Sequence, residues 1–159
     1  MPGLMPWAAD PGPALETVFA AVAAGPMAGL PLLNPALRVE AVPFRRGPEG
    51  QWVGALVTPW AINLLCLPGD ASTWPAAPAG AKHDWRFPSG AYEFIVAEMD
   101  RLGPYHLCSL FSPALEFATH EEARLTALAA MDALLRGAAD GPDAPRPAPT
   151  RRAFLGLAP

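Results

Sequence analysis

Proline and glycine set the first limit on this chain: 21 prolines and 14 glycines stand among its 159 residues. Proline fixes φ and has no backbone N–H, and glycine costs conformational entropy inside regular elements. The chain must therefore be assembled from short elements joined by many turns and loops. At this length it suits one domain with a real core, and an apolar content of 52% sets it apart from disordered chains. Charged residues are only 16%, which leaves room for exposed apolar contact area.

Asp10 and Pro11 can open a helix near residues 12–25. Leu15, Val18, Phe19 and Val22 share one face at helical spacing, and Gly25-Pro26 ends it. A strand is expected near residues 38–44, followed by a turn through Pro48 and Glu49. QWVGALVTP alternates in strand fashion, and WAINLLCLPG reads as another strand that stops at Pro68-Gly69. Residues 70–90 read as the longest irregular region. AYEFIVAEM and PYHLCSLF follow as consecutive strands around a turn at residues 101–104, which requires them to be antiparallel. The strongest helix spans about His120 to Arg136, with Thr119 as N-cap and Glu122 completing a capping box. Ala123, Ala127, Leu128, Met131, Leu134 and Leu135 form its apolar arc.

The expected fold is α+β. It is a single domain with a mostly antiparallel sheet of about five strands, and the N-terminal and C-terminal helices cover one face. Residues 1–11 read as a flexible arm and 12–136 as the domain. Residues 137–159 read as a Pro/Ala-rich linker and tail.

The formal net charge is -4, and all of it lies in residues 1–100, with 5 basic against 9 acidic side chains. That balance argues against a nucleic-acid binder and suits a basic partner segment. No basic region followed by an apolar run opens the sequence, and no run of 18 apolar residues suggests a membrane span. A reducing cytoplasm fits the two cysteines, Cys66 and Cys108. His106 lies two residues from Cys108, roughly 6.5–7 Å away along a strand, which is long for a nucleophile–base pair. Cys108 therefore reads as a buried structural thiol. His83 and His120 read as surface histidines near loops, and no metal-ligand spacing is present. Trp52 and Trp60 read as core. Trp74 and Trp85, in the irregular region, are surface candidates.

Three blocks then add up to a resemblance: VTPWAINLLCLPG, FPSGAYEF and LCSLFSPALEFATHEEA. Together they resemble the [NiFe]-hydrogenase assembly chaperones of the HybE/HupJ type, from roughly Leu15 to Gly156. The matching residues are Thr58, Pro59, Trp60, Pro68, Gly69, Trp74, Pro88, Gly90, Glu98, Cys108, Ser109, Ser112, Pro113 and Glu121. The resemblance implies a cytoplasmic, non-enzymatic accessory factor without a cofactor. Such a factor binds the precursor small subunit, including its twin-arginine signal peptide, and associates with the large subunit. It holds export back until assembly is complete. Some relatives carry a fused rubredoxin domain, but this chain has no C-x-x-C pair and no iron site is inferred. A small-ligand-binding domain or a Cys-dependent hydrolase is the alternative.

A receptor for such a signal needs carboxylates beside an apolar groove. Glu93, Glu98 and Asp100 are the candidates for the acidic part, with Trp74 and Trp85 lining the apolar part. The tail offers a second idea. Thr150-Arg151-Arg152-Ala153-Phe154-Leu155 itself resembles a twin-arginine consensus. Arg151, Arg152, Phe154 and Leu155 can act as an internal mimic, or Phe154 and Leu155 can simply pin the tail to the core.

Overall fold

The computed structural model describes residues 6–136. In chain order the elements are α1 (Gly12–Ala24), β1 (Glu40–Ala41), β2 (Arg45–Arg46), β3 (Trp52–Val57), β4 (Ile62–Leu67), β5 (Lys82–Phe87), β6 (Gly90–Met99), β7 (Gly103–Phe111) and α2 (His120–Leu135). They form one sheet in the order β1-β3-β4-β7-β6-β5, with β2 also on β3. Every pairing is antiparallel. Among the described residues the sheet thus has seven strands rather than about five.

Both helix starts follow from local chemistry. Asp10 Oδ1 accepts the Gly12 N–H at 2.7 Å, and Pro11 brings no N–H that would need a partner. At α2 the capping box forms as the sequence predicts. Thr119 Oγ1 accepts the Glu122 N–H at 3.1 Å, and Glu122 Oε1 accepts the Thr119 N–H at 3.2 Å.

The two helices lie on opposite faces of the sheet, not on one. Successive strand residues point to opposite sides. On one side Val53, Ala55, Val57, Ile62, Leu64 and Cys66 pack with Ala123, Ala127, Ala130, Met131 and Leu134 of α2. On the other, Leu56, Leu65 and Leu67 pack with Leu15 and Phe19 of α1. The central strands are apolar in both alternating sets, so each face needs a cover.

The strand expected over 38–44 is an interrupted edge. Only β1 falls inside that range, β2 follows just after it, and both pair with β3. Pro43 has no N–H to give the ladder, and the Val42 N–H to Ala55 O bond of 2.8 Å bridges the gap. Trp7 is tied down as well. Its N–H donates to Pro68 O at 2.8 Å, and its own carbonyl accepts the Trp52 indole N–H at 2.8 Å. From Trp7 onward the expected flexible arm is therefore attached to the sheet, while residues 1–5 lie outside the described part. His120, expected on the surface, is buried. Its Nδ1 accepts the Arg38 N–H at 3.2 Å, and its Nε2 meets Glu40 Oε1 at 2.7 Å.

One close approach fixes the edge against the sheet. A Cβ on Gly54 would fall 2.3 Å from the Phe44 ring. Gly54→Ala should therefore destabilise the fold by about 1–3 kcal/mol, seen as a lower urea midpoint, and Phe44→Leu should restore part of it. An unchanged midpoint would mean that the Phe44 ring yields freely.

Candidate functional site

Helix α1 ends at Gly25 because the chain turns into Pro26, and its last turns stand over the β6–β7 connection. Between them lies a groove of about 560 Å³. It is lined by Val18, Ala21, Val22 and Pro26 on one wall and by Glu98, Met99, Asp100 and Arg101 on the other. Glu98 and Asp100 are exposed at the end of β6. Neither side chain has a hydrogen bond or ion pair within the described residues. The groove is thus apolar along α1 and acidic at its rim, with Arg101 as a single opposing charge.

The five partner-binding residues expected from sequence do not form one surface. Glu98 and Asp100 line the groove. Glu93 lies elsewhere on β6, 3.8 Å from Lys82 Nζ. Trp74 and Trp85 pack in the core that α2 covers, across the sheet from the α1 groove, so they do not line it. Trp85 is a correction: it is fully buried, and it sits in β5 rather than in a loop. Sequence reading missed β5 among the surrounding prolines and glycines, although Lys82, Asp84 and Arg86 alternate there with His83, Trp85 and Phe87. It also missed the apolar wall of the groove, whose Val18 and Val22 read only as the core-facing side of α1. Arg151, Arg152, Phe154 and Leu155 lie outside the described residues.

The tryptophans serve a buried aromatic cluster. Trp85 Nε1–H donates to His106 Nδ1 at 2.8 Å. Half-buried Trp74 stacks on the His106 ring at 4.2 Å and approaches Trp85 at 5.5 Å. His83 meets Trp85 edge-on at 4.6 Å. With Nδ1 accepting, the neutral His106 ring carries its proton on Nε2.

A second surface gathers at one end of the sheet. Asn34 is buried there and ties three loops together. Its N–H donates to Pro59 O at 2.7 Å, and its Nδ2 donates to Ala114 O at 2.9 Å and Phe117 O at 2.8 Å. These loops carry Thr58, Pro59, Trp60, Ser112 and Pro113. They also expose Leu30, Leu32 and Leu115 at 44%, 55% and 51%. Isolated exposed leucines are ordinary, and these three stand on two of the loops that Asn34 joins.

The cysteines are poor nucleophiles. Burial, and then the Glu93 charge, push Cys108 up to about 11. Burial foremost, then Cys108 and Glu49, push Cys66 up as well. Both remain thiols near neutrality. Among the described residues, no three His, Cys, Asp or Glu side chains come together as metal ligands would.

Burial, and then His83, hold His106 down to about 4. The unfolded chain takes up a proton at this position near pH 6.5, whereas the folded chain waits until about 4. The stability tied to the neutral ring is therefore complete above pH 6.5. It is lost as pH falls toward 4, by about 3 kcal/mol at most. In His106→Gln this component is absent, so the stability gap between wild type and variant should narrow between pH 7 and 4.5 in urea titrations. A constant gap would rule out a buried neutral imidazole.

Comparison with known proteins agrees with this architecture. Residues 10–157 match the family model described as [NiFe]-hydrogenase assembly, chaperone, HybE. Protein HoxT of Cupriavidus necator is 41% identical over 157 residues, covering 89% of this chain and 85% of its own. The hydrogenase expression/formation protein HupJ of Bradyrhizobium diazoefficiens is 45% identical over 135 residues, covering 81% and 77%. The solution structure of HybE from Escherichia coli superposes with a TM-score of 0.69 at 26% identity, over 94% of this chain and 93% of that one. The family match over nearly the whole chain and these relatives show that the chain belongs to the HybE family of [NiFe]-hydrogenase assembly chaperones.

Proposed function

We propose that this chain acts in the cytoplasm on the precursor of a [NiFe]-hydrogenase small subunit. It holds the twin-arginine signal peptide and delays export until assembly is complete. The observation that supports this reading is the α1 groove, whose lining combines the apolar flank of α1 with the acidic residues Glu98 and Asp100. A twin-arginine signal has the same two parts, a basic pair and an apolar stretch.

Magnitudes decide how the two parts divide the work. An exposed ion pair contributes at most about 1 kcal/mol, whereas burying one Leu or Phe side chain contributes roughly 1.5–3 kcal/mol. The apolar wall therefore supplies most of the affinity. The carboxylates set direction and select for the arginines. The leucine-bearing loops around Asn34 offer a separate contact for the folded body of a client, and the large subunit is the candidate for that surface.

Tagged protein drawn from a cytoplasm containing the client should capture signal-bearing precursor and not the subunit lacking its signal. Equal capture of both would move recognition to the subunit body. In purified form, Glu98→Gln with Asp100→Asn should weaken signal-peptide binding by roughly three- to thirtyfold and flatten its salt dependence. Ala21→Arg, on the exposed apolar wall, should abolish binding while leaving the fold intact. Unchanged affinity in both variants would remove the groove from consideration.

The hydrolase alternative needs a reactive thiolate. Cys108, raised to about 11, should resist brief iodoacetamide treatment of the native protein at pH 7.5 and react only on unfolding. Rapid native alkylation would reopen that alternative.

A further inference from the structure

We propose that this chain carries its own occupant for the α1 groove, residues Arg151–Leu155. The inference rests on the reading that the groove takes an arginine-bearing apolar segment, and it adds regulation to that site.

Three observations point to it. The first is chemical complementarity. Arg151-Arg152-Ala153-Phe154-Leu155 places two guanidinium groups directly before two large apolar side chains. The groove is lined by two acidic residues, Glu98 and Asp100, together with Val18, Ala21, Val22, Pro26 and Met99. Arg101 removes one unit of attraction, so the rim still favours a cation by one net charge. The carboxylates have no partner within the described residues, so an incoming guanidinium displaces no existing ion pair.

The second is reach. Helix α2 ends beside the β5–β6 hairpin, where Ser89 Oγ donates to Leu134 O at 2.9 Å. The groove lies at the other end of β6, ten residues along, a distance of about 30 Å at strand rise. The segment from 137 to 150 holds 14 residues with four prolines. Extended at about 3.1 Å per residue, such a stretch spans about 43 Å.

The third is the path. The groove and α2 lie on opposite faces, and β6 is the second strand from the edge, next to β5. The linker therefore needs to pass around a single edge strand to reach the α1 side.

A segment tethered this way works at an effective concentration on the order of 1 mM. A contact of only about 0.1 mM intrinsic affinity would then fill the groove about nine-tenths of the time and weaken a competing peptide about tenfold. The tail thus sets a threshold: a weak basic peptide is turned away, and a client with a longer apolar stretch displaces it.

The test compares the full chain with its full-length Arg151→Glu, Arg152→Glu, Phe154→Ala variant by amide hydrogen exchange and by titration with the client's signal peptide. If the tail occupies the groove, amides near residues 22–26 and 98–103 exchange several-fold faster in the variant. The remaining amides are unchanged. Equal exchange at those segments overturns the inference, whatever the titration shows. The titration judges the signal-peptide reading separately. Binding that is about tenfold tighter in the variant supports both ideas. Binding that is equal in the two chains overturns the tail contact and leaves the signal-peptide reading standing. Faster exchange with no signal-peptide binding in either chain supports the tail contact and removes the signal-peptide reading.

Discussion

The structure depends on central strands that are apolar on both sides. From Val53 to Val57 and from Leu64 to Leu67 every residue is buried, so neither face of the sheet can be left to water. One helix on each side meets that need with the two helices of the described residues, and the composition of each helix suits its place. The inner side of α2 is lined by Ala123, Ala127 and Ala130, which let it lie close over β3. Helix α1 inserts Leu15 and Phe19 under the other side, where Phe19 meets Tyr105 edge-on at 6.3 Å. The groove follows from this arrangement. A thirteen-residue helix cannot cover a seven-stranded sheet, and where α1 stops at Gly25 the β6–β7 turn is left facing its apolar flank.

Buried and half-buried polar groups then fix how the layers meet. Glu40 sits at the junction of α2 and β1, with His120 at 2.7 Å and Arg124 at 3.5 Å. Glu16 of α1 accepts the Ala41 N–H at 2.9 Å, so one short edge strand is held by both helices. Asn34 does the same for the loops that follow β3 and β7. Each of these groups would be costly if left without its partner. They therefore specify one arrangement among the several that apolar packing alone would tolerate.

Legibility in the sequence tracked how local the cause was. Helix α2 was readable to its capping box because Thr119, Glu122 and the apolar arc lie within one continuous segment, and no proline or glycine interrupts Ala114 to Arg136. Strands β3, β4, β6 and β7 were readable from alternation and from the turns that bound them. Strand β5 was not, because its six residues carry four charged or imidazole side chains and sit between Gly80 and Pro88. Its strand character comes from pairing with β6, from Lys82 opposite Ile95 to Phe87 opposite Gly90. The same error turned Trp85 from a core residue into a surface candidate. Of the acidic residues singled out, Glu98 and Asp100 do line a groove, but Glu93 and both tryptophans do not. Charge and aromaticity say which residues can bind, and only packing says which of them share a surface.

The sequence by itself determined the α+β class, the single domain, both helices and the family, because these rest on periodicity, capping and ordered blocks along the chain. The tertiary structure decided which face each helix covers, that Trp74, Trp85 and His106 form one buried cluster, and that α1 rather than the tryptophan loop forms the apolar wall beside Glu98 and Asp100. Those outcomes depend on contacts between residues tens of positions apart, such as Trp85 with His106 and Asn34 with Ala114. Their energies exist only once the sheet has closed its order β1-β3-β4-β7-β6-β5, and no local pattern encodes that order.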